Sequence, residues 1–133
     1  MAILIDADVL IEAERRTFNF DGWVASQRGT DFKLAAITVS ELQHGIERGV
    51  GLHRLRRERF FQAIFPVFEI LPFTFNTAFV HARLWATLES TGQMIGPHDL
   101  ILAATAIQTG NAVATFNKRH FSAVQGLEVI EPA

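Results

Sequence analysis

Cysteine is absent from the 133 residues, so neither a disulfide frame nor a thiolate metal site can form, and a reducing cytoplasm is the natural setting. No apolar run approaches the roughly 18 residues needed to cross a bilayer, so no membrane association is expected. The opening residues lack a basic start and reach an acid at Asp6, which does not read as a signal peptide. Positive charge is also in short supply. Twelve Lys and Arg stand against 14 Asp and Glu, a net −2, which excludes a broadly basic nucleic-acid surface but leaves room for a local basic groove. There is no internal repeat, no low-complexity tract and no Pro/Ser-rich linker. What remains is 49% hydrophobic, which excludes disorder as the main state. A chain of this length buries roughly two-thirds of its extended surface, enough for one domain over residues 1–133.

Short apolar runs alternate with helical patterns along the chain. Ile3–Ile5 reads as a buried strand stopped by Asp6, followed by a helix over 7–15 and a second over 18–27. Lys33–Ile37 reads as a strand that leads into a helix starting near Thr38. A further helix runs from Gly51 to about Phe65, with Leu52, Leu55, Phe61, Ile64 and Phe65 near one face. Glu69–Leu71 is a weak strand, and residues 75–90 form a long helix stopped by Thr91-Gly92. Pro97 starts another helix that Gly110 ends. Ala112–Ala114 is a strand, 117–122 a short helix and Leu127–Ile130 a last strand. This alternation indicates an α/β fold, a parallel sheet covered on both faces. Right-handed crossovers then align all strand C-terminal ends along one border, where such folds hold ligands.

Four polar positions fall at that border. Asp6 follows the first strand, and Glu41 lies in the first turn of the helix after the second. Asp99 lies in the first turn of the helix from Pro97, and Asn117 follows the strand at 112–114, with Thr115 just before it. Each has an ordinary explanation. Asp6 or Asp8 can cap a helix, Thr38 through Glu41 fits a capping box, and Asp99 complements a helix dipole. Collectively they point elsewhere, because three of only five Asp residues sit at this border beside apolar segments. Carboxylates gathered there repel and lose hydration. A hard divalent cation offsets both penalties, and an oxygen-only donor set favours Mg²⁺ or Mn²⁺ over zinc.

The residues around these positions resemble a known family. Ile3 through Ile11, reading ILIDADVLI, resembles the LLDTNVLI opening of PIN-domain nucleases, in particular the VapC-type toxins of toxin–antitoxin pairs. Ala36 through Leu42 with Gly45 resembles their ITVAELxxG segment, and Ile95 through Ala106 resembles IxxxDxLIAATA. Ala114 through Asn117, then Lys118 through Phe121 and Gly126-Leu127, resembles VTRNxRDFxxVxGL. The four segments occur in order and span nearly the whole chain. The resemblance implies a five-stranded, mostly parallel sheet in a three-layer α/β/α sandwich. It also implies an Mg²⁺- or Mn²⁺-dependent endoribonuclease that leaves 5′-phosphate and 3′-hydroxyl ends and is silenced by a cognate antitoxin. Carried over by position, the metal-binding and catalytic acids are Asp6, Glu41 and Asp99. A fourth acidic position of many PIN domains is here the amide Asn117, and Asp8 stands where the family usually has Asn or Ser, as compensation for the missing charge.

Substrate grip needs positive charge near the acids, and Lys118, Arg119, Arg15 and Arg16 are the RNA-binding candidates. His98 and His120 are candidates to touch phosphate or base, although a lone His near a site is more often structural. The run Arg54–Arg59 is interleaved with more apolar residues than one helix face can bury, so the helices around residues 41–65 are the expected antitoxin surface. The stripe Phe75, Phe79, Ala82 and Ala86, with Val80, Leu84, Trp85 and Leu88, is read as mostly core on a helix packed on two sides, with homodimerisation there as a hypothesis. Two rival classes share parts of this pattern. Asp6-Ala7-Asp8-Val9 also fits the opening of haloacid-dehalogenase-type phosphatases, but no Asp follows Asp99 to complete their late acidic motif. The other is a catalytically weak or inactive interaction protein on the same fold, favoured only by Asn117.

Overall fold

A computed structural model describes all residues, 1–133. Five strands, β1 (Ile3–Ile5), β2 (Phe32–Ala35), β3 (Glu69–Leu71), β4 (Ala112–Ala114) and β5 (Val129–Ile130), form one sheet in the order β3-β2-β1-β4-β5. Every pairing is parallel. Six helices connect them: α1 (Ala7–Glu14), α2 (Phe20–Ser26), α3 (Ala36–Glu47), α4 (Gly51–Ile64), α5 (Phe75–Ser90) and α6 (Pro97–Thr109). Short 3₁₀ turns occupy Phe65–Val67 and Lys118–Phe121. The chain builds outward from β1 to β2 and β3, then returns to lay β4 on the other side of β1. The direction of winding therefore reverses between β1 and β4, and a crevice opens at their C-terminal ends.

Alternation along the strands sorts the core into two sides. Leu4, Ala35 and Val113 face Leu88 of α5 and Leu100, Leu102, Ala103 and Ala106 of α6, all buried. Ile5 and Leu34 face the other way, against Val9, Leu10, Leu42, Ile46 and Phe61 of α1, α3 and α4. Trp23 of α2 closes that side over Ile3, Ala112 and Ala114. The run of small residues at 103–106 lets α6 lie close to its neighbours, and trimming Leu102 to Ala there would cost about 2–5 kcal/mol.

Several sequence expectations need correction. The second strand ends at Ala35, and α3 begins at Ala36, without a loop between them. No capping box forms: Ala35 is the N-cap and carries no side-chain bond, while Thr38 points into the core and its hydroxyl finds no partner. Glu41 consequently lies in the second turn of α3. On α4 only Phe61 is buried, and Leu52 and Leu55 are 74% and 42% exposed, so the helix buries its C-terminal half through Phe61 with Phe60 and Ile64 partly covered. The stripe on α5 is not core. Phe75, Phe79 and Trp85 are exposed, and the helix is held by a narrower line through Thr77, Leu84 and Leu88. Thr77 adds a 3.2 Å hydrogen bond from its hydroxyl to Gln108 of α6.

Candidate active site

Asp6 stands where β1 becomes α1. It is the N-cap of α1, in extended conformation, and one carboxylate oxygen accepts a 2.8 Å bond from the Ala7 N–H. The ordinary capping reading is thus true of Asp6, but it accounts for one oxygen only. The other accepts a 2.9 Å bond from the Thr115 hydroxyl just beyond β4, 109 positions away. A backbone bond of 2.9 Å from the Asp6 N–H to the Ala114 carbonyl locks the two strand ends together. Asp6 is 7% exposed. Burial, reinforced by the charges of Asp8 and Asp99, pushes its carboxyl up to about 7 despite the two hydrogen bonds that favour the anion.

The other acids share this field. Asp8, in the first turn of α1, is raised by burial and by Asp99, against bonds from Phe116 and Thr115 that pull it down. Burial also raises Glu41, with His98 opposing and Asp99 and Asp8 adding to the rise. Asp99, near the start of α6, is raised by burial and pulled back by His120 and His98. The two imidazoles sit at the rim: His98 Nδ1 is 3.7 Å from Glu41 and His120 Nδ1 is 3.5 Å from Asp99. Sequence reading favoured a structural role for both over contact with phosphate or base. The structure sets one imidazole beside each of two acids, a placement that their positions next to Asp99 and after Asn117 could have flagged.

The fit to a hard cation rests on the donors themselves. Asp6, Asp8, Glu41 and Asp99 offer only oxygen, are partly desolvated and act on one another electrostatically. No three of them close on one point as a ready-made cage. Asp6 is pinned by two hydrogen bonds, whereas the side chains of Glu41 and Asp99 are 28% and 24% exposed and paired only with the rim imidazoles. The chemistry of these donors therefore fits a hard divalent cation such as Mg²⁺ or Mn²⁺, which Asp6, Glu41 and Asp99 would hold.

The basic candidates divide. Arg119 shares with Asp99 and His120 an open cleft of about 570 Å³, and Lys118 is its exposed neighbour. Arg15 and Arg16 lie at the far end of α1, about 12 Å of helix from Asp6. Arg15 pairs with Glu12 at 3.6 Å, and Arg16 adopts the left-handed conformation (φ 61°) that ends the helix. Arg16 instead lines a groove of about 660 Å³ with Phe18, Phe20, Phe60, Ile64 and Phe68. That groove meets, at Thr17 and Phe18, a cleft of about 460 Å³ beside Asp8, Glu12, Phe116 and Asn117. Sequence reading missed this aromatic groove. The doublet Phe18 and Phe20 was a signal, but only the fold sets it against α4.

A sheet border at a winding reversal is where open α/β folds hold their ligands, and here it is lined with acids. The PIN-domain model matches residues 3–127, and the chain belongs to that family. Ribonuclease VapC1 of Rickettsia felis is 32% identical over 131 residues, covering 98% of this chain and 96% of the relative. The crystal structure of FitAcB from Neisseria gonorrhoeae superposes with a TM-score of 0.85 at 33% identity, covering 98% of this chain and 97% of that one. VapBC2 of Rickettsia felis, bound to a DNA fragment from its promoter, shares the fold with a TM-score of 0.89 at 19% identity over the full length of both chains.

Proposed function

We propose that this protein is the ribonuclease toxin of a toxin–antitoxin pair, hydrolysing RNA phosphodiester bonds in the cytoplasm with Mg²⁺ or Mn²⁺ held by Asp6, Glu41 and Asp99. The observation that carries the reading is a sheet border lined with acids that burial desolvates and raises, Asp6, Asp8 and Glu41 further raised by the charge of a neighbouring acid. When bound, the ion supplies positive charge to the phosphate and to the leaving oxygen. The Thr115 hydroxyl and the Ala7 N–H hold the Asp6 carboxylate in one orientation. Lys118 and Arg119 draw the phosphate backbone towards the cleft beside Asp99. Arg15 and Arg16 meet the RNA or the partner only further along α1.

The antitoxin segment lies in the aromatic groove between the 16–20 turn and α4 and extends past Phe18 towards the acids. Exposed Leu52 and Leu55, with Arg56 and Arg59, widen the surface available to it along α4. Two copies pair along α5, which covers Phe75, Phe79 and Trp85.

The deciding experiment incubates the chain, freed of any antitoxin, with a panel of RNAs and Mn²⁺. Cleavage to 5′-phosphate ends, abolished by EDTA and by Asp6→Asn or Asp99→Asn in folded protein, is expected. A wild type that leaves every RNA intact sinks the proposal and favours a non-catalytic binding protein, the reading to which Asn117 alone lends weight.

A further inference from the structure

Asp8 and Asn117 are bonded to each other across 109 positions of sequence, and the pair is unexplained by capping. Asn117 precedes the 3₁₀ turn at Lys118–Phe121, yet its side chain makes no capping bond there. Its amide instead donates to Asp8 Oδ2 at 3.0 Å. The Phe116 N–H donates to the same oxygen at 3.0 Å, and the Thr115 hydroxyl approaches it at 3.3 Å. Asp8 Oδ1, by contrast, has only a 3.5 Å approach from that hydroxyl. Thr115 has one proton, and its 2.9 Å bond to Asp6 is the shorter, so no side-chain donor saturates Oδ1 of Asp8. An acid serving only the dipole of α1 would have no need of two donors from the segment after β4. One oxygen is anchored and the other is available, in the way that outer donors fix a metal-ligating carboxylate.

We infer that Asp8 supplies a fourth carboxylate to the cation site and that Asn117 is the positioning residue holding it there. The amide is required at 117 because an acid at both positions would set two carboxylates in contact, which repel. Acid and amide form a complementary couple that is exchangeable in principle. The inference rests on the cation reading of the site given above.

Calorimetric titration of the full chain with Mn²⁺ tests it, together with thermal melting of each metal-free variant. Asp8→Asn is expected to weaken Mn²⁺ binding at least about tenfold, and Asn117→Ala by about tenfold. The double variant Asp8→Asn/Asn117→Asp, which reverses the couple, should recover to within about threefold of wild type. A purely structural pair would lower the melting temperature of Asp8→Asn and leave its Mn²⁺ affinity within about twofold of wild type, which overturns the inference. Absence of Mn²⁺ binding by the wild type, with Asp6→Asn equally silent, overturns the cation reading itself and this inference with it. Intact wild-type binding that is lost in Asp6→Asn but kept in Asp8→Asn overturns the inference alone.

Discussion

At the border beyond β1 and β4, carboxylates stand where water is scarce, while along the outer face of α5 aromatic rings stand where water is plentiful. Asp6 is 7% exposed and Phe75 is 79% exposed, the reverse of what each side chain prefers. Neither arrangement helps the isolated chain to fold. The first is relieved by positive charge and the second by apolar cover. The lesson is that both regions are incomplete in opposite senses, and the chemistry of each states what would complete it.

Changing one acid exposes the conflict at the border most sharply. Asp6→Asn keeps an N-cap of equal quality, so the fold should survive. RNA cleavage should fall at least about 100-fold, because the ion and its charge relief are lost. The same variant, free of metal at neutral pH, should melt higher than wild type. A variant that loses activity and also melts lower would show that the Asp6 carboxylate supports the fold instead of straining it.

The pH dependence of the metal-free protein sharpens the same point. The Asp6 carboxyl is raised from 3.8 to about 7 by burial and its acidic neighbours, so between those values the folded state keeps a proton that the unfolded chain has lost. Stability therefore falls as pH rises through that window, by on the order of 2–4 kcal/mol in all, and levels off above it. Urea unfolding at pH 5 and pH 7.5 measures the slope, which Asp6→Asn should flatten. Mn²⁺ should oppose the trend, adding about 2.7 kcal/mol at 100 times its dissociation constant. A metal-free midpoint that climbs with pH across this range would contradict the picture.

The α5 face yields the smallest effect on the single chain and the clearest on assembly. Phe79→Ser with Trp85→Ser should leave the melting temperature nearly unchanged, since both rings already meet water. Sedimentation should shift from a species of twice 14.8 kDa to the monomer. A wild type that sediments only as the monomer at working concentrations removes the dimer and leaves this face without a known cover.

Much of the fold was legible before any coordinates. Strands read as short apolar runs because both faces of a parallel sheet are buried, and Gly110 ended α6 as expected, with φ 72°. The acids at strand ends followed from that order. The errors have physical causes. Thr38 and Glu41 have the spacing of a capping box, but β2 passes directly into α3, which moves the helix start to Ala36 and turns Thr38 inward. Periodicity correctly grouped Phe75, Phe79 and Leu88 on one helix, yet it carries no information about which part of that helix a neighbour covers.

The order of strands and helices and the placing of Asp6, Asp8 and Asp99 at element ends were determined by the amino-acid sequence alone, since local propensity and periodicity act over a few residues. Only the tertiary structure decided that β4 lies beside β1, so that Thr115 binds Asp6 and Asn117 binds Asp8, each across 109 positions. Such pairings depend on how the crossovers pack against the sheet, an energy that belongs to the whole chain and has no signature in any single stretch of it.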